Sequence, residues 1–468
     1  MRSITLSCAI LIAIACFLTS SVVMAKHTSS VSKHSHHTKN YHHSSALSKN
    51  QKKKKHTTIK KKATTKKKAT TKKKATTKKR TTKHTSVSAA STDIYGKHRL
   101  IAYVVDWEIP SNVNWGKVDH VAYAFAEPDA NGALKSFTDN LLKKFTTEAH
   151  KNKVGVSISV GGWSGSKHFS TLVKSSSKRK TFIDNIVALV DNYGLDGVNL
   201  DWEYPNDPNG VSCNAKDKDD TANYLVFVQE LRKALDAKYN SIHKLITVAV
   251  GTNPFNDAKQ TPMAKLDNSW ASAVDSFYIM AYDISGSWNT NAGPNAPLLK
   301  GSAYDSSVSQ AVSVWHSAGI PSNQLVVGVP FYGLALKTSK AITSSSGLFV
   351  KLAASSAIKG DEYDESSKDD CPGSTASYSG SFQWRSIVKQ GILKNENGWK
   401  SYWDNVSETP YAYQSKNNKF LSFDDAKSLK EKVDYINKQS LGGAMIWSLE
   451  MDDSSNTLLN SLQGVRKD

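Results

Sequence analysis

The sequence has few cysteines and, over one long stretch, no acidic residue at all. Of the four cysteines in 468 residues, Cys8 and Cys16 lie in an apolar N-terminal segment. Cys213 and Cys371 remain, and in an oxidising compartment two cysteines most simply form one disulfide. Beyond the N-terminal segment, no apolar run approaches the length of a membrane span. We therefore expect no membrane-spanning domain.

The first 25 residues have the pattern of a secretory signal peptide. Arg2 precedes an apolar stretch over residues 4–18, and residues 23–25 provide a cleavage site before Lys26. An uncleaved signal anchor is the alternative, because the apolar stretch is long for a signal peptide. The pattern predicts a secreted protein, located outside the cell or in the cell wall.

Residues 26–91 contain no Asp or Glu and hardly any large apolar residue. A repeat, Lys-Lys-Lys-Ala-Thr-Thr, begins at Lys60, Lys66 and Lys72, and the segment holds 21 Lys and Arg, which accounts for the formal net charge of +20. Such a composition cannot bury enough apolar surface to offset chain entropy, so residues 26–96 are predicted to be a disordered tail. Residues 97–468 are close to neutral, so the charge describes the tail and not the folded domain.

Two roles for this tail remain open. It could be a solvated spacer with O-glycans on its Thr and Ser, or an electrostatic anchor to a polyanion such as an acidic wall polysaccharide. Nucleic-acid binding is not expected, because the tail follows a secretory signal and lacks interleaved aromatic residues. Its eight His residues, from His27 to His84, lack any fixed ligand spacing, so no metal site is predicted.

From residue 97 onward, short apolar runs alternate with amphipathic stretches. The runs are rich in Val, Ile and aromatic residues, as expected for strands of a parallel sheet that is covered on both faces. Eight such strands predict an α/β fold of the (β/α)8 TIM barrel type. A doubly wound open sheet is the alternative, but no Gly-rich phosphate loop follows the first strand. The predicted strands are residues 100–107, 120–126, 154–162, 197–203, 245–251, 276–283, 325–333 and 442–449.

The longest interval between predicted strands covers about residues 334–413. Loops of that length without structure are uncommon, so a small α+β insertion is expected between strands 7 and 8. Cys371 lies in this interval and Cys213 follows strand 4, so their disulfide would tie the insertion to the barrel rim. Asn405 begins the sequon Asn-Val-Ser, a glycosylation site that predicts a surface position.

Residues 196–205 carry the strongest chemical signal. Asn199, Asp201 and Glu203 alternate along a predicted strand and therefore project from one face. Three polar side chains on one strand face are costly to bury in an ordinary core. Crowded acids raise one another's pKa, which keeps a carboxylic acid protonated for general acid catalysis. We interpret this strand as catalytic.

Acids and aromatic residues also occur at the C-terminal ends of other predicted strands. In barrel enzymes the active site lies at that end. Sugar rings stack their C–H faces on aromatic side chains and present polar edges to carboxylates, so the combination favours a carbohydrate cleft. The strand ends carry Trp107, Trp163, Tyr204, Met280, Tyr282, Asp283, Tyr332 and Trp447.

The acidic stretch, with Asp196 at its start, resembles the Asp-x-x-Asp-x-Asp-x-Glu signature of family 18 glycoside hydrolases, the chitinases and their relatives. Residues 159–162 are similar to the family's Ser-x-Gly-Gly, and residues 280–283 to its Met-x-Tyr-Asp. The resemblance covers about residues 99–453. The chain departs from the family at Asn199, where the middle Asp is usual, and at Leu334, where relatives commonly have Arg.

The resemblance implies a retaining mechanism in which the substrate's own acetamido group is the nucleophile. Glu203 would be the general acid and then the base, Asp201 would hold the acetamido N–H, and Tyr282 would bind the acetamido oxygen. Asp196 and Asn199 would complete the catalytic set, and no metal or cofactor is implied. The predicted substrate-binding residues are Tyr103, Ser159, Gly162, Trp163, Tyr204, Met280, Asp283, Trp288, Tyr332 and Trp447.

The sequence therefore predicts a secreted, monomeric chitinase that cleaves β-1,4 bonds between N-acetylglucosamine units of chitin and chito-oligosaccharides. A chitin-binding lectin on an inactive barrel is an alternative that the presence of Glu203 disfavours. An endo-β-N-acetylglucosaminidase acting on glycoproteins is another, disfavoured by the rim insertion and the cleft aromatics.

Overall fold

The computed structural model describes residues 99–304, 306–343 and 347–466. The predicted signal peptide and basic tail lie outside these residues. Within them, eight parallel strands close into a barrel, because the first strand pairs with both the second and the last. The predicted (β/α)8 barrel is confirmed. Its strands, in spatial order, are β1 (Arg99–Val105), β2 (His120–Pro128), β4 (Gly155–Gly161), β5 (Gly197–Asp201), β6 (Leu245–Val250), β7 (Ser276–Ile279), β8 (Leu325–Pro330) and β15 (Gly443–Trp447), with the short β3 (Leu134–Lys135) antiparallel to β2.

The barrel strands are buried along almost their whole length. Every residue of β4, β5, β6, β8 and β15 is buried. Helices cover the outer face and side chains fill the inside, so the strands read as continuous apolar runs. The exceptions are polar residues at inward positions, including Ser159, Asn199 and Thr247. These side chains need partners inside the barrel.

The amphipathic stretches form helices packed on the barrel. In α4, for example, Phe182, Ile186 and Val190 face inward, and the helix ends at Gly194, whose φ of 62° suits glycine. The helices are α1 (Asp139–Lys151), α2 (Gly162–Gly165), α3 (Phe169–Lys174), α4 (Ser176–Tyr193), α5 (Asp220–Tyr239), α6 (Ser269–Ala273), α7 (Val308–Ser317), α8 (Trp384–Lys389), α9 (Ala426–Lys438) and α10 (Thr457–Ser461). Short 3-10 helices cover Trp115–Lys117, Ser166–His168, Ser322–Gln324, Ile392–Lys394, Ser415–Asn417, Leu449–Met451 and Gln463–Arg466.

A second, antiparallel sheet of six strands lies between β8 and β15, as the predicted α+β insertion requires. It extends from Tyr332 to Ser422, beyond the predicted residues 334–413 at both ends. The apolar pattern runs from β8 into this sheet without a break, because only Phe331 separates them. Its strands are β9 (Tyr332–Thr338), β10 (Leu352–Ala357), β11 (Ser381–Gln383), β12 (Trp399–Asp404), β13 (Thr409–Gln414) and β14 (Lys419–Ser422).

The Cys213–Cys371 disulfide is formed, with an S–S distance of 2.06 Å. It joins the loop after β5 to the segment between β10 and β11. Asn405 is exposed in the turn between β12 and β13. Among the described residues, no helix combines the length and apolar character needed to cross a membrane, and no group of three or more His, Cys, Asp or Glu is placed to hold a metal ion.

Candidate active site

A layer of buried polar side chains crosses three neighbouring strands below the C-terminal end of the barrel. Ser159 on β4, Asn199 on β5 and Thr247 on β6 are register partners and are at most 2% exposed. The Thr247 hydroxyl donates to Asn199 Oδ1 at 2.9 Å, and Asn199 Nδ2 donates to Ser159 Oγ at 2.9 Å and to the Tyr103 oxygen at 2.7 Å. The two N–H groups of the amide thus face two acceptor oxygens, which fixes its orientation.

Asp201 lies above this layer at the end of β5 and is 3% exposed. The Tyr103 hydroxyl donates to Asp201 Oδ2 at 3.0 Å. The other carboxylate oxygen, Oδ1, is buried and accepts no hydrogen bond from any described residue. Burial raises the pKa of Asp201 to about 7, although the Tyr103 hydrogen bond opposes the shift. Asp201 therefore retains one oxygen for a further donor.

Glu203 follows two residues later, with its side chain partly exposed to the cleft. Its backbone N–H donates to the Ser166 hydroxyl at 2.8 Å. Burial first, and then the Asp201 charge, raise the pKa of Glu203 well above its ordinary value, while a hydrogen bond with Tyr204 opposes the shift. Two acids this close favour the protonated form of one of them, as a general acid at neutral pH requires.

The opposite wall follows β7, where Tyr282 and Asp283 extend into the cleft. The Asp283 backbone N–H donates to Asn295 Oδ1 at 3.0 Å, and the Tyr332 hydroxyl donates to Asp283 Oδ1 at 2.7 Å. Burial, with the charges of Asp201, Asp283 and Glu203, raises the pKa of Tyr282 well above 10. The Tyr282 hydroxyl therefore keeps its proton and can donate it to a substrate oxygen.

Aromatic rings form the floor of the site. Trp447, at the end of β15, packs edge-on against Tyr103 with ring centroids 5.2 Å apart, and stacks on Phe125 at 5.7 Å. Phe125 in turn stacks on Trp107 at 6.4 Å. This row of rings, from Trp447 to Trp107, offers flat apolar surface beside the Asp201–Glu203 pair, which suits the C–H face of a sugar.

Two glycines at the end of β4 allow the close packing around the acids. Gly161 has a φ of 113°, and a Cβ there would lie 2.2 Å from the Asp201 carbonyl oxygen. Gly162 has a φ of 79°, and a Cβ there would lie 2.8 Å from the Phe125 ring. Both positions need glycine for backbone conformation and for space, which explains the Gly-Gly of residues 161–162.

A cavity of about 340 Å³ is lined by Trp202 and Tyr204, the neighbours of Glu203 along the chain, although neither Asp201 nor Glu203 belongs to its lining. Its lining contains polar side chains as well as aromatic ones, so it can bind a hydroxyl-rich ligand. The predicted residues in this lining are Tyr204, Met280, Tyr282, Asp283 and Trp288.

Two predicted site residues, Asp196 and Trp163, have hydrogen-bond partners away from the acidic pair, and the structure also shows the place of Leu334, the second departure from the family. Asp196 precedes β5 and so lies at the other end of the barrel from Glu203, where its carboxylate accepts from Val156 N at 2.8 Å and contacts His150 Nε2 at 2.7 Å. Trp163 is 5% exposed, and its ring N–H donates to Asp369 at 2.9 Å, which ties it to the insertion. Leu334 is a buried residue of the second sheet.

Four residues near the acids were not singled out from the sequence: Phe125, Ser166, Thr247 and Asn214. Thr247 interrupts the apolar run of β6 and could have been noticed as a polar residue in a buried strand. Phe125 has the character of a core residue, Ser166 begins a short 3-10 helix and Asn214 lies in a loop, so their proximity to the acids depends on tertiary contacts alone.

Comparison with known proteins identifies the family. The family model described as "Glycosyl hydrolases family 18" matches residues 99–452. A chitinase-like effector of Moniliophthora roreri is 35% identical over 369 residues, covering 75% of this chain and 89% of that protein. The crystal structure of a chitinase from Rhizomucor miehei covers 79% of this chain and 100% of its own, with 55% identity and a TM-score of 0.76.

A third similar protein was solved with a sugar bound. It is the second catalytic domain of the Ostrinia furnacalis group II chitinase, a mutant in complex with a chito-oligosaccharide, at 26% identity and a TM-score of 0.67 over 79% of this chain and 96% of its own. Together with the acidic pair at the end of β5, these matches show that the chain belongs to glycoside hydrolase family 18 and is a glycoside hydrolase.

Proposed function

We propose that this enzyme is a chitinase that hydrolyses β-1,4 bonds between N-acetylglucosamine units with retention of configuration. One observation carries the proposal above all others. Asp201 is buried and Glu203 beside it is partly exposed, the pKa values of both are raised, and Asp201 Oδ1 accepts no hydrogen bond from the described residues. A proton donor thus lies beside an acceptor that is open to an amide N–H.

In the first step, Glu203 donates its proton to the glycosidic oxygen as the bond to the anomeric carbon breaks. The acetamido carbonyl oxygen attacks that carbon and forms a cyclic oxazolinium ion. Asp201 Oδ1 accepts the acetamido N–H and, as a carboxylate, stabilises the positive charge that develops. The Tyr282 hydroxyl donates to the acetamido oxygen and aligns it for attack.

In the second step, the Glu203 carboxylate takes a proton from water and the water oxygen attacks the anomeric carbon. The bond between that carbon and the acetamido oxygen breaks, which restores the acetamido group. The cleaved sugar leaves with its original configuration because two inversions have occurred. The rings of Trp447, Phe125 and Trp107 would hold the sugar faces. The complex of the related Ostrinia furnacalis chitinase domain with a chito-oligosaccharide supports a substrate of this class.

The decisive experiment is the substitution Glu203→Gln, which preserves size and hydrogen bonding but cannot supply a proton. Hydrolysis of chitotetraose should fall at least about 10²-fold, while binding to chitin persists. Glu230→Gln is the matched control, since Glu230 lies on the outer helix α5 and pairs with Arg179. Near-normal turnover by Glu203→Gln would exclude the proposed proton donor.

A second candidate function is chitin binding with little turnover. Two observations favour it: Asn199 stands where relatives usually have a carboxylate, and the Moniliophthora roreri relative is named a chitinase-like effector. Wild-type turnover of chitotetraose separates the two functions. Tight chitin binding without measurable hydrolysis would establish the second.

We further propose that the protein is secreted, that it acts as a monomer, and that the basic segment of residues 26–96 serves as a spacer or as an anchor to an acidic polysaccharide. The composition of the first 25 residues and the Lys-rich repeats support these proposals. The Cys213–Cys371 disulfide agrees with an oxidising compartment. Detection of the mature protein in the culture medium, cleaved after residue 25, would test the first of them.

A further inference from the structure

The backbone on both sides of Glu203 is held by buried side chains. Ser166 Oγ accepts the Glu203 N–H at 2.8 Å, and Asn214 Nδ2 donates to the Glu203 carbonyl at 3.1 Å. Ser166 is 0% exposed and Asn214 is 8% exposed. Neither side chain belongs to β5, so both hydrogen bonds connect Glu203 to neighbouring segments of the chain.

Ser166 links the ends of β4 and β5. Its single hydroxyl proton points to the Gly162 carbonyl at 2.8 Å, with a longer contact of 3.3 Å to the Asp201 carbonyl. Because that proton is committed, the oxygen lone pair faces the Glu203 N–H. Ser166 therefore links the backbone of Glu203 to the Gly161–Gly162 segment, which also packs against Asp201 and Phe125.

Asn214 is held by its neighbour Cys213, which forms the disulfide with Cys371. The loop that carries both residues approaches Glu203 closely, since a Cβ on Gly210 would lie 2.4 Å from the Glu203 carbonyl oxygen. Glycine therefore permits the contact that Asn214 completes.

The insertion contacts both segments that hold Glu203. Asp369 Oδ1 accepts from the Trp163 ring N–H at 2.9 Å, and the Asp370 carbonyl oxygen accepts from Lys167 Nζ at 3.4 Å, so residues 369–370 contact the chain on either side of Ser166. Cys371 follows at once and binds Cys213. Residues 369–371 thus form one clasp, which joins the Ser166 segment and the Asn214 loop.

We propose that Ser166 and Asn214 are positioning residues for the general acid, and that the clasp of residues 369–371 holds them in place. The insertion then takes part in catalysis by locating the Glu203 carboxyl group, in addition to shaping the rim. This inference rests on the proposed role of Glu203 as proton donor. A displacement of about 1 Å at a reacting group can cost on the order of 10²-fold in rate, so small movements of this peptide matter.

Ser166→Ala tests the proposal directly. The Glu203 N–H loses its acceptor, the carboxyl group can turn toward water in the cleft, and kcat on chitotetraose should fall at least about tenfold with KM within about twofold. Burial and Asp201 raise the pKa of Glu203, so a carboxyl group that moves toward water has a lower pKa. The alkaline limb of the pH–rate profile should therefore move to lower pH.

Ser170→Ala is the matched control. Ser170 is an equally buried serine four residues away, whose hydroxyl donates to Asp220 at 2.7 Å and does not touch Glu203. The Ser170→Ala variant should be less stable than the wild type, but the alkaline limb of its pH–rate profile should not move. An unchanged limb in Ser166→Ala, or an equal loss of kcat in both variants, would overturn the proposal.

Asn214→Leu removes the donor to the Glu203 carbonyl at nearly constant size and keeps the proposal testable if Ser166→Ala does not fold. It should lower kcat severalfold, and the double variant Cys213→Ser, Cys371→Ser should reproduce part of that loss. Full kcat in both would exclude the clasp.

The two proposals can fail separately. If the wild-type protein shows no turnover, the proposed function is wrong, but the ionisation of Glu203 can still be followed by 13C NMR, with Glu203→Gln for assignment. Ser166→Ala should then lower the Glu203 pKa, whereas an unchanged pKa would contradict the positioning role.

Discussion

The two ends of β5 carry acidic residues of the same motif in opposite electrostatic surroundings. At the N-terminal end, burial alone would raise the pKa of Asp196, but the His150 contact and the Val156 N–H outweigh it and hold the pKa below its usual value. At the C-terminal end, burial raises the pKa of Asp201 to about 7, because the Tyr103 hydroxyl is a single weak counterweight. The number of hydrogen-bond donors to each carboxylate therefore determines whether its pKa is lowered or raised.

This difference separates a structural acid from a chemical one. Asp196 has both a backbone and a side-chain donor on one oxygen, so its charge is satisfied within the fold. Asp201 has one oxygen without a partner among the described residues, and Glu203 lies beside it. A carboxyl group that the protein leaves incompletely bonded can accept a hydrogen bond from a ligand or, when it is protonated, donate a proton to it. The motif therefore combines a structural acid, Asp196, with the reactive pair Asp201 and Glu203.

The largest effect is expected from Asp201→Asn. The amide cannot stabilise the oxazolinium charge, so kcat on chitotetraose should fall at least about 10²-fold. Thermal stability should not fall, because the substitution removes a buried, half-bonded carboxylate. Steady-state kinetics together with calorimetry measure both quantities. Full activity of Asp201→Asn would show that Asp201, like Asp196, takes no part in the chemistry.

Asp196→Asn should show the reverse pattern. Activity should stay within about threefold, while the free energy of unfolding at pH 7 falls by about 1–3 kcal/mol. The folded-state pKa of Asp196 is lowered, so its stabilisation is present above the unfolded pKa of about 3.9 and is lost as the pH falls below it. The stability difference from wild type should therefore shrink toward pH 3 in denaturant titrations. A large loss of kcat without destabilisation would place Asp196 among the catalytic residues.

Asn199→Asp sharpens the comparison at the reactive end. The new carboxylate lacks the N–H groups that Asn199 gives to Tyr103 and Ser159, and it adds a negative charge below Asp201. Both effects favour protonation of the Asp201–Glu203 pair, so the alkaline limb of the pH–rate profile should move up by about half a unit or more. An unmoved limb would show that position 199 is electrically insulated from Glu203.

Deletion of residues 26–91 should have the smallest effect on catalysis. The described domain holds all the residues assigned to the reaction, so activity on soluble chito-oligosaccharides should stay within about twofold of full length. If the segment is an anchor, the deletion should weaken retention on an acidic polysaccharide, and high salt should release the full-length protein. Salt-insensitive retention that survives the deletion would support the spacer role.

The barrel could be predicted because each strand is short, apolar and followed by a helical pattern. The boundary between β8 and β9 could not, because apolar residues run continuously from Leu325 to Leu336 while the chain passes from one sheet to another. Only the pairing of β9 with β10, β11 and β14 distinguishes the two segments. The local apolar pattern indicates that a strand is buried, but it does not indicate which strand it pairs with.

The acidic pair and most of its surroundings could also be predicted, since alternate positions on a strand share a face. Tyr103, predicted to bind substrate, donates a hydrogen bond to Asp201, and Ser159 accepts one from Asn199. The roles of Ser166 and Asn214 could not be predicted, because their hydrogen bonds to Glu203 join segments that are far apart in the sequence. Asp196 shares the motif with Glu203, but sequence proximity does not reveal that a strand carries them to opposite ends of the barrel.

The pairing of β1 with β15 sets the order in which this enzyme can fold. Arg99 is the register partner of Gly443, so the barrel cannot close until nearly the whole domain has been synthesised. Contacts of such high contact order form late, because their loop-closure entropy is offset only once the intervening elements exist. The last strand, β15, also ends in Trp447. The sugar-binding floor is thus completed in the same event that closes the barrel, and a chain that stops before β15 has neither.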